Sequence, residues 1–186
     1  MATNAASAGR YSTVAIAFHW VIAVLIALNF AAVWVSHTMP KPERMQIMGN
    51  HKAFGLTILA LSVLRILWRV SHRAPDFEDS LKSWEVALAR TVQALFYFLM
   101  IAIPLTGWGI VSAYSGEVVS WFGLFGVPPL PLAQGKVAGG TLHEIHGNLA
   151  TLMIGLFALH AAGALKHQFL DRDGTLGRMV PWFARS

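Results

Sequence analysis

His146 and His160 stand fourteen residues apart in one apolar run, HGNLATLMIGLFALH. At about 100° per residue, fourteen steps fall about 40° short of four helical turns, so both imidazoles project from one helix face, about 21 Å apart along the axis. Two other apolar runs each begin near a histidine, His19 and His51. Neutral imidazole is a strong ligand for iron and other borderline metals. Four histidines at two depths therefore predict two stacked bis-histidine sites, an arrangement that suits haem.

Depth separates ligands from bystanders. His19 lies about five residues inside the inner end of the first apolar run, and His160 a similar distance from the inner end of the last. His51 and His146 both fall within a few residues of the outer ends of theirs. The expected pairs are His19 with His160 and His51 with His146. A single histidine inside a membrane is more often a hydrogen-bonded packing residue, but ionisable groups within spans are expensive and usually mark function. His37, His72 and His167 fall at span boundaries and read as solvated or interfacial. His143, one turn before His146, lies about 100° off the face of His160. It competes less well as a ligand, and would instead accept a proton or hydrogen-bond a ligand or propionate.

The elements that must position these groups follow from composition. The chain has 186 residues, 55% hydrophobic and 12% charged, with a mean hydropathy of +0.54. A water-soluble domain of this size needs more polar surface, so the chain reads as an integral membrane protein. There is no cysteine, which excludes disulfides, Cys-ligated iron–sulfur clusters and thiolate zinc sites. Four stretches approach the ~20 residues that a bilayer demands: about 14–35, 48–70, 88–111 and 145–165. All must be helical, because unpaired backbone in lipid is too costly. The expected fold is a single all-α membrane four-helix bundle, with Met1–Thr13 a short polar lead into a retained first span.

With the N-terminus inside, the inner cations are Arg10, Arg65, Arg69, Arg73, Lys82, Arg90, Lys166, Arg172, Arg178 and Arg185, against Lys41, Arg44, Lys52 and Lys136 outside. That asymmetry predicts cytoplasmic termini. The net charge of +5 is thus a topological signal rather than a nucleic-acid patch. The outer segment Tyr114–Leu142 is rich in Gly and Pro, and its aromatic start, Val118–Phe125, reads either as a short interfacial helix or, no less simply, as an interfacial belt of aromatics.

Arg65 and Arg69 follow His51 by fourteen and eighteen residues, on the same helix face near the inner level. They either snorkel at the membrane edge or neutralise haem propionates through charge-assisted hydrogen bonds. Gly55, one turn from His51, would let a porphyrin approach the backbone closely.

His-Trp in the first span, GNHKAFG and LRILWR at the two ends of the second, IPLTGWG in the third, HGNLATLMIGLFALHAAGALKHQF in the fourth and the DGTLGRMVP tail together resemble the bacterial cytochrome b561 family. The resemblance covers nearly the whole chain. It implies a dihaem b-type cytochrome of the bacterial inner membrane, with His19, His51, His146 and His160 as the iron ligands. The family is also similar to the cytochrome b subunits that couple dehydrogenases to quinone. The function expected is an oxidoreductase carrying electrons between an outer-face donor and the ubiquinone pool. Lys41, Arg44, Lys52 and Lys136 would draw an anionic donor such as superoxide to the outer mouth, although loop solubility and lipid headgroup contact are the simpler account of them. Two rival readings stay open: an electron-conducting anchor for a periplasmic redox partner, and a metal transporter, which the scarcity of loop carboxylates disfavours. A homodimer through lipid-facing surfaces is compatible with the sequence.

Overall fold

Helix α1 (Thr13–Ser36) starts where the Ser12 hydroxyl accepts a hydrogen bond from the Ala15 amide at 3.3 Å, satisfying one of the orphan donors of a helix start. A four-residue turn leads to α2 (Lys41–Ser71), with Pro42 in its first turn, where a missing N–H costs nothing, and Glu43 complementing the helix dipole. Helix α3 (Ser83–Tyr114) opens with the Glu85 carboxylate accepting the Lys82 amide at 3.0 Å. Helix α4 (Lys136–Lys166) ends in a π-helical turn over His167–Asp171, which Arg172 stops in the left-handed conformation at φ 54°. The computed structural model describes residues 9–77 and 81–180. Arg185 of the inner cation set, Pro181 of the tail motif and the first eight residues of the N-terminal lead lie outside them.

The fold is all-α in its membrane part, and all four helices are long and apolar enough to cross a bilayer. Each runs beyond the stretch that hydropathy marks. At about 1.5 Å per residue the 31 residues of α2 reach about 46 Å, well past a ~30 Å hydrocarbon core. Hydropathy measures what lipid covers, whereas caps and prolines decide where a helix begins.

Helix α1 packs on α2, α2 on α3, and α3 on α4. One apolar core ties all four together: Ile22 from α1, Ile58 from α2, Leu99 and Met100 from α3, Met153 and Leu156 from α4. Met153 stands seven residues from each α4 histidine, so this core lies midway between the two histidine levels. Outward-facing side chains are apolar, with Trp34 and Val70 among the most exposed, as a lipid-facing surface requires.

The first and last described segments meet at one end of the bundle, called the termini end below, where the Arg178 guanidinium donates to the Gly9 carbonyl and the Trp20 indole to the Met179 carbonyl. At the opposite, loop end the segment that reads as either an interfacial helix or an aromatic belt is a hairpin, β1 (Val119–Trp121) antiparallel to β2 (Phe125–Val127), with Val119 opposite Val127. Two features overrule the helix. Phe122 and Gly123 take φ of 50° and 77°, the left-handed pair of a tight hairpin turn. The Trp121 indole also reaches across to the Thr57 hydroxyl at 3.0 Å, tying β1 to α2.

Candidate functional site

The four sequence-selected histidines come together as two opposed pairs. His51 on α2 faces His146 on α4 with ring centroids 6.1 Å apart and planes at 86°. His19 on α1 faces His160 on α4 at 6.2 Å and 65°. A metal–imidazole bond is about 2 Å, and a ring nitrogen lies about 1 Å from its centroid, so one ion between two such rings needs centroids about 6 Å apart. Both pairs meet that requirement, and haem iron with two axial imidazoles fits it.

The surroundings of the loop-end pair suit a flat macrocycle. A cavity of about 630 Å³ surrounds His51 and His146, within the roughly 300–1,000 Å³ range of cofactor sites. Gly55 lines it, and a Cβ built on Gly55 would meet nothing within 4 Å, so that side of α2 is open. Gly107 on α3 is the opposite case, because a Cβ there would lie 3.1 Å from the His146 Cε1. The glycine lets α3 approach the ring. His143 lines the same cavity with Arg44, Lys52 and His37, so the loop-end site is flanked by cationic and titratable groups.

Hydrogen bonds hold these rings. The His146 Nδ1–H donates to the Ile103 carbonyl at 3.0 Å, with the Thr106 hydroxyl at 3.2 Å. Ile103 sits beside Pro104, which interrupts the α3 ladder. The His51 Nδ1–H donates to the Asn29 side-chain oxygen at 3.1 Å. An imidazole that donates from Nδ1 keeps its Nε2 lone pair for a metal. Asn29, Thr106 and Gly107 were not selected from sequence. Their only signals there are a lone amide in an otherwise apolar span and the TG of IPLTGWG.

At the termini end, Arg65 lies 3.4 Å from the His19 Nδ1 and its guanidinium stands 5.6 Å over the Tyr97 ring. Arg65 and Arg69 line a common cavity of about 350 Å³ with Arg73, Tyr11, Trp68 and Tyr97. Phe96 packs edge-on against His160 at 5.4 Å.

Two of the remaining histidines, His72 and His167, have local partners. His72 stacks on Trp68 at 3.6 Å. His167 donates to Asp173 at 2.6 Å and lies 3.1 Å from Asp171, while Lys166 joins Asp171 to Glu85 at the start of α3. The Asp173 carboxyl also accepts the Thr175 amide at 2.9 Å. Burial works to raise its pKa, but the Thr175 amide and the His167 ring outweigh that, so it is held below the ordinary 3.8.

A family model described as prokaryotic cytochrome b561 matches residues 10–182. Cytochrome b561 homolog 2 of Escherichia coli (strain K12) is 31% identical over 181 residues, covering 92% of this chain and 91% of that protein. Cytochrome b561 homolog 1 of the same strain is 28% identical over 176 residues, covering 92% and 97%. A protein of Yersinia pestis named probable superoxide oxidase CybB is 28% identical over 172 residues, covering 92% and 96%. With its four membrane-length helices, the chain belongs to the prokaryotic cytochrome b561 family, the multi-pass b-haem electron-transfer proteins of the bacterial inner membrane.

Proposed function

We propose that this chain holds two haems b, one between His19 and His160 and one between His51 and His146, and carries electrons between a donor at the loop end and ubiquinone in the membrane. The observation that carries the reading is the pair of opposed imidazoles at each of two depths, with centroids 6.2 and 6.1 Å apart. A haem held between two histidines would supply one-electron transfer rather than oxygen activation.

The chain's own residues do the rest. The Ile103 carbonyl and the Asn29 amide oxygen hold the Nδ1–H of His146 and His51, so each ring presents its other nitrogen. Gly55 and Gly107 leave room beside α2 and the His146 ring. Arg65 and Arg69 supply cationic donors for the carboxylates that a haem carries. The core of Ile22, Ile58, Leu99, Met100, Met153 and Leu156 keeps water out of the layer between the two levels.

The termini face the cytoplasm in this reading, which puts Lys41, Arg44, Lys52 and Lys136 on the outer side. An anion such as superoxide is the donor they favour, and the name of the Yersinia pestis relative points the same way. Two superoxide anions, each losing one electron to become dioxygen, balance one quinone that takes up two electrons and two protons.

The test is a dithionite-reduced minus oxidised spectrum with haem quantitation, on the purified chain and on H19A, H51A, H146A and H160A. About two b haems per chain are expected. H19A and H160A should disturb one population, H51A and H146A the other. A folded protein without haem overturns the proposal and leaves metal transport by the same histidines. A stoichiometric redox subunit that co-purifies, with no quinone reduction by the chain alone, overturns the quinone-reducing role in favour of an anchor.

A further inference from the structure

Asn29 is the lone amide of α1, and it is only 9% exposed among apolar neighbours. A buried amide is costly unless its hydrogen bonds are made, and this one spends both of its ends on a single residue. Its nitrogen donates to the His51 backbone carbonyl at 3.4 Å, and its oxygen lies 3.1 Å from the His51 Nδ1.

The two contacts fix each other. A backbone carbonyl only accepts, so the amide nitrogen must face it, and the amide oxygen must then face the ring. That oxygen also only accepts, so the His51 Nδ1 carries the hydrogen and Nε2 keeps its lone pair. Tautomer and ring orientation are set together. Among the described residues the termini-end pair has no such clamp on His19: its Nδ1 faces the Arg65 guanidinium at 3.4 Å, which donates and cannot accept. His146 is also anchored on a carbonyl, but that of the Ile103 backbone, which substitution does not remove. Thr106, whose hydroxyl lies 3.2 Å from the His146 Nδ1, touches only a ring already held by a backbone carbonyl, so Asn29 is the side chain on which the placement of His51 rests.

We propose that Asn29 is a positioning residue for His51, locking its ligating tautomer and lowering the reduction potential of the loop-end haem. The inference rests on the haem ligation proposed above. Donation from Nδ1–H to a carbonyl oxygen shifts electron density onto the imidazole and raises its basicity, which favours ferric over ferrous iron. Removing the acceptor therefore raises the potential.

The experiment is a spectroelectrochemical titration of the haem-loaded wild type, N29L and N29D, with low-spin electron paramagnetic resonance on each. N29L deletes the acceptor and keeps the bulk, and N29A is the second acceptor-free variant should N29L fail to fold. In N29L one of the two haems is expected to rise by about 59 mV, a tenfold loss of ferric preference for one electron. Its resonance should broaden, and the other haem should keep its potential. N29D retains an acceptor oxygen and should leave that haem at or below its wild-type potential. Unchanged potentials in the acceptor-free variants overturn the inference, and so does an equal rise in N29L and N29D, which would make the effect one of packing. A wild type without haem overturns the ligation itself, whereas a wild type with two haems and an indifferent N29L overturns only the role of Asn29.

Discussion

Gly107 isolates the cost of a single methyl group beside a ring. A Cβ there would sit 3.1 Å from the His146 Cε1, so Gly107→Ala must push the imidazole aside or move α3. Overpacking of this kind costs about 1–3 kcal/mol, enough to weaken retention of one haem by about fivefold to a hundredfold. The same change removes a flexible residue from a helix interior, which by itself stabilises by roughly 0.5–1 kcal/mol. Haem per chain should therefore fall from about two towards one while the helical circular dichroism and its melting temperature hold. Full occupancy with an unaltered spectrum would show that the ring relaxes freely. Neither the contact nor the Asn29 clamp was legible in the sequence. A glycine or an amide within a span has no preferred partner until a second helix is laid against it. The histidines differ, because their fourteen-residue spacing in α4 is a property of one helix alone.

The junction after α4 shows how an element is finished by charge. The π-helical turn and Arg172 redirect the chain so that His167 reaches Asp173, and Asp173 in turn accepts the Thr175 amide. The Asp173 carboxyl is held below its ordinary 3.8, so its contribution is present above that pH and is lost as pH falls through the lower folded value. Amide hydrogen exchange at Thr175, corrected for intrinsic rate, should lose protection over that acid range in the wild type. In D173N the amide should be less protected at neutral pH, with little further change on acidification. Exchange that ignores both pH and substitution would mean the carboxylate does not hold this segment. At the loop end, aromatic content alone suggested a helix for 118–125, yet a hairpin forms. Eight residues are too few for a helical period to outweigh two left-handed turn residues and a tertiary bond from Trp121 to Thr57.

For the whole molecule, the distribution of charge makes a prediction about encounter. Arg44 and Lys52 line the loop-end cavity, and Lys41 and Lys136 begin the two helices that carry its histidines. Attraction of a small anion by such a group acts over a Debye length, about 10 Å at 0.1 M salt and about 3 Å at 1 M. The rate of haem reduction by superoxide in stopped flow should fall steeply between those ionic strengths, and the double variant K52Q/R44Q should flatten that dependence. A rate indifferent to salt would remove steering from the account and leave these cations to loop and headgroup contacts.

By itself the sequence determined the membrane character, the four helices and the rotational alignment of His146 with His160, because hydropathy and a fixed helical pitch are written along a single strand of chain. Depth along the chain already suggested the pairs, but only the tertiary structure decided that their rings meet across about 6 Å, that Asn29 and Ile103 hold two of them, and that a side chain at Gly107 rather than Gly55 would meet a ligand candidate. Those facts depend on the rotation and separation of neighbouring helices. Both are set by the sum of many small packing contacts along α1–α2, α2–α3 and α3–α4, and no residue carries that sum alone.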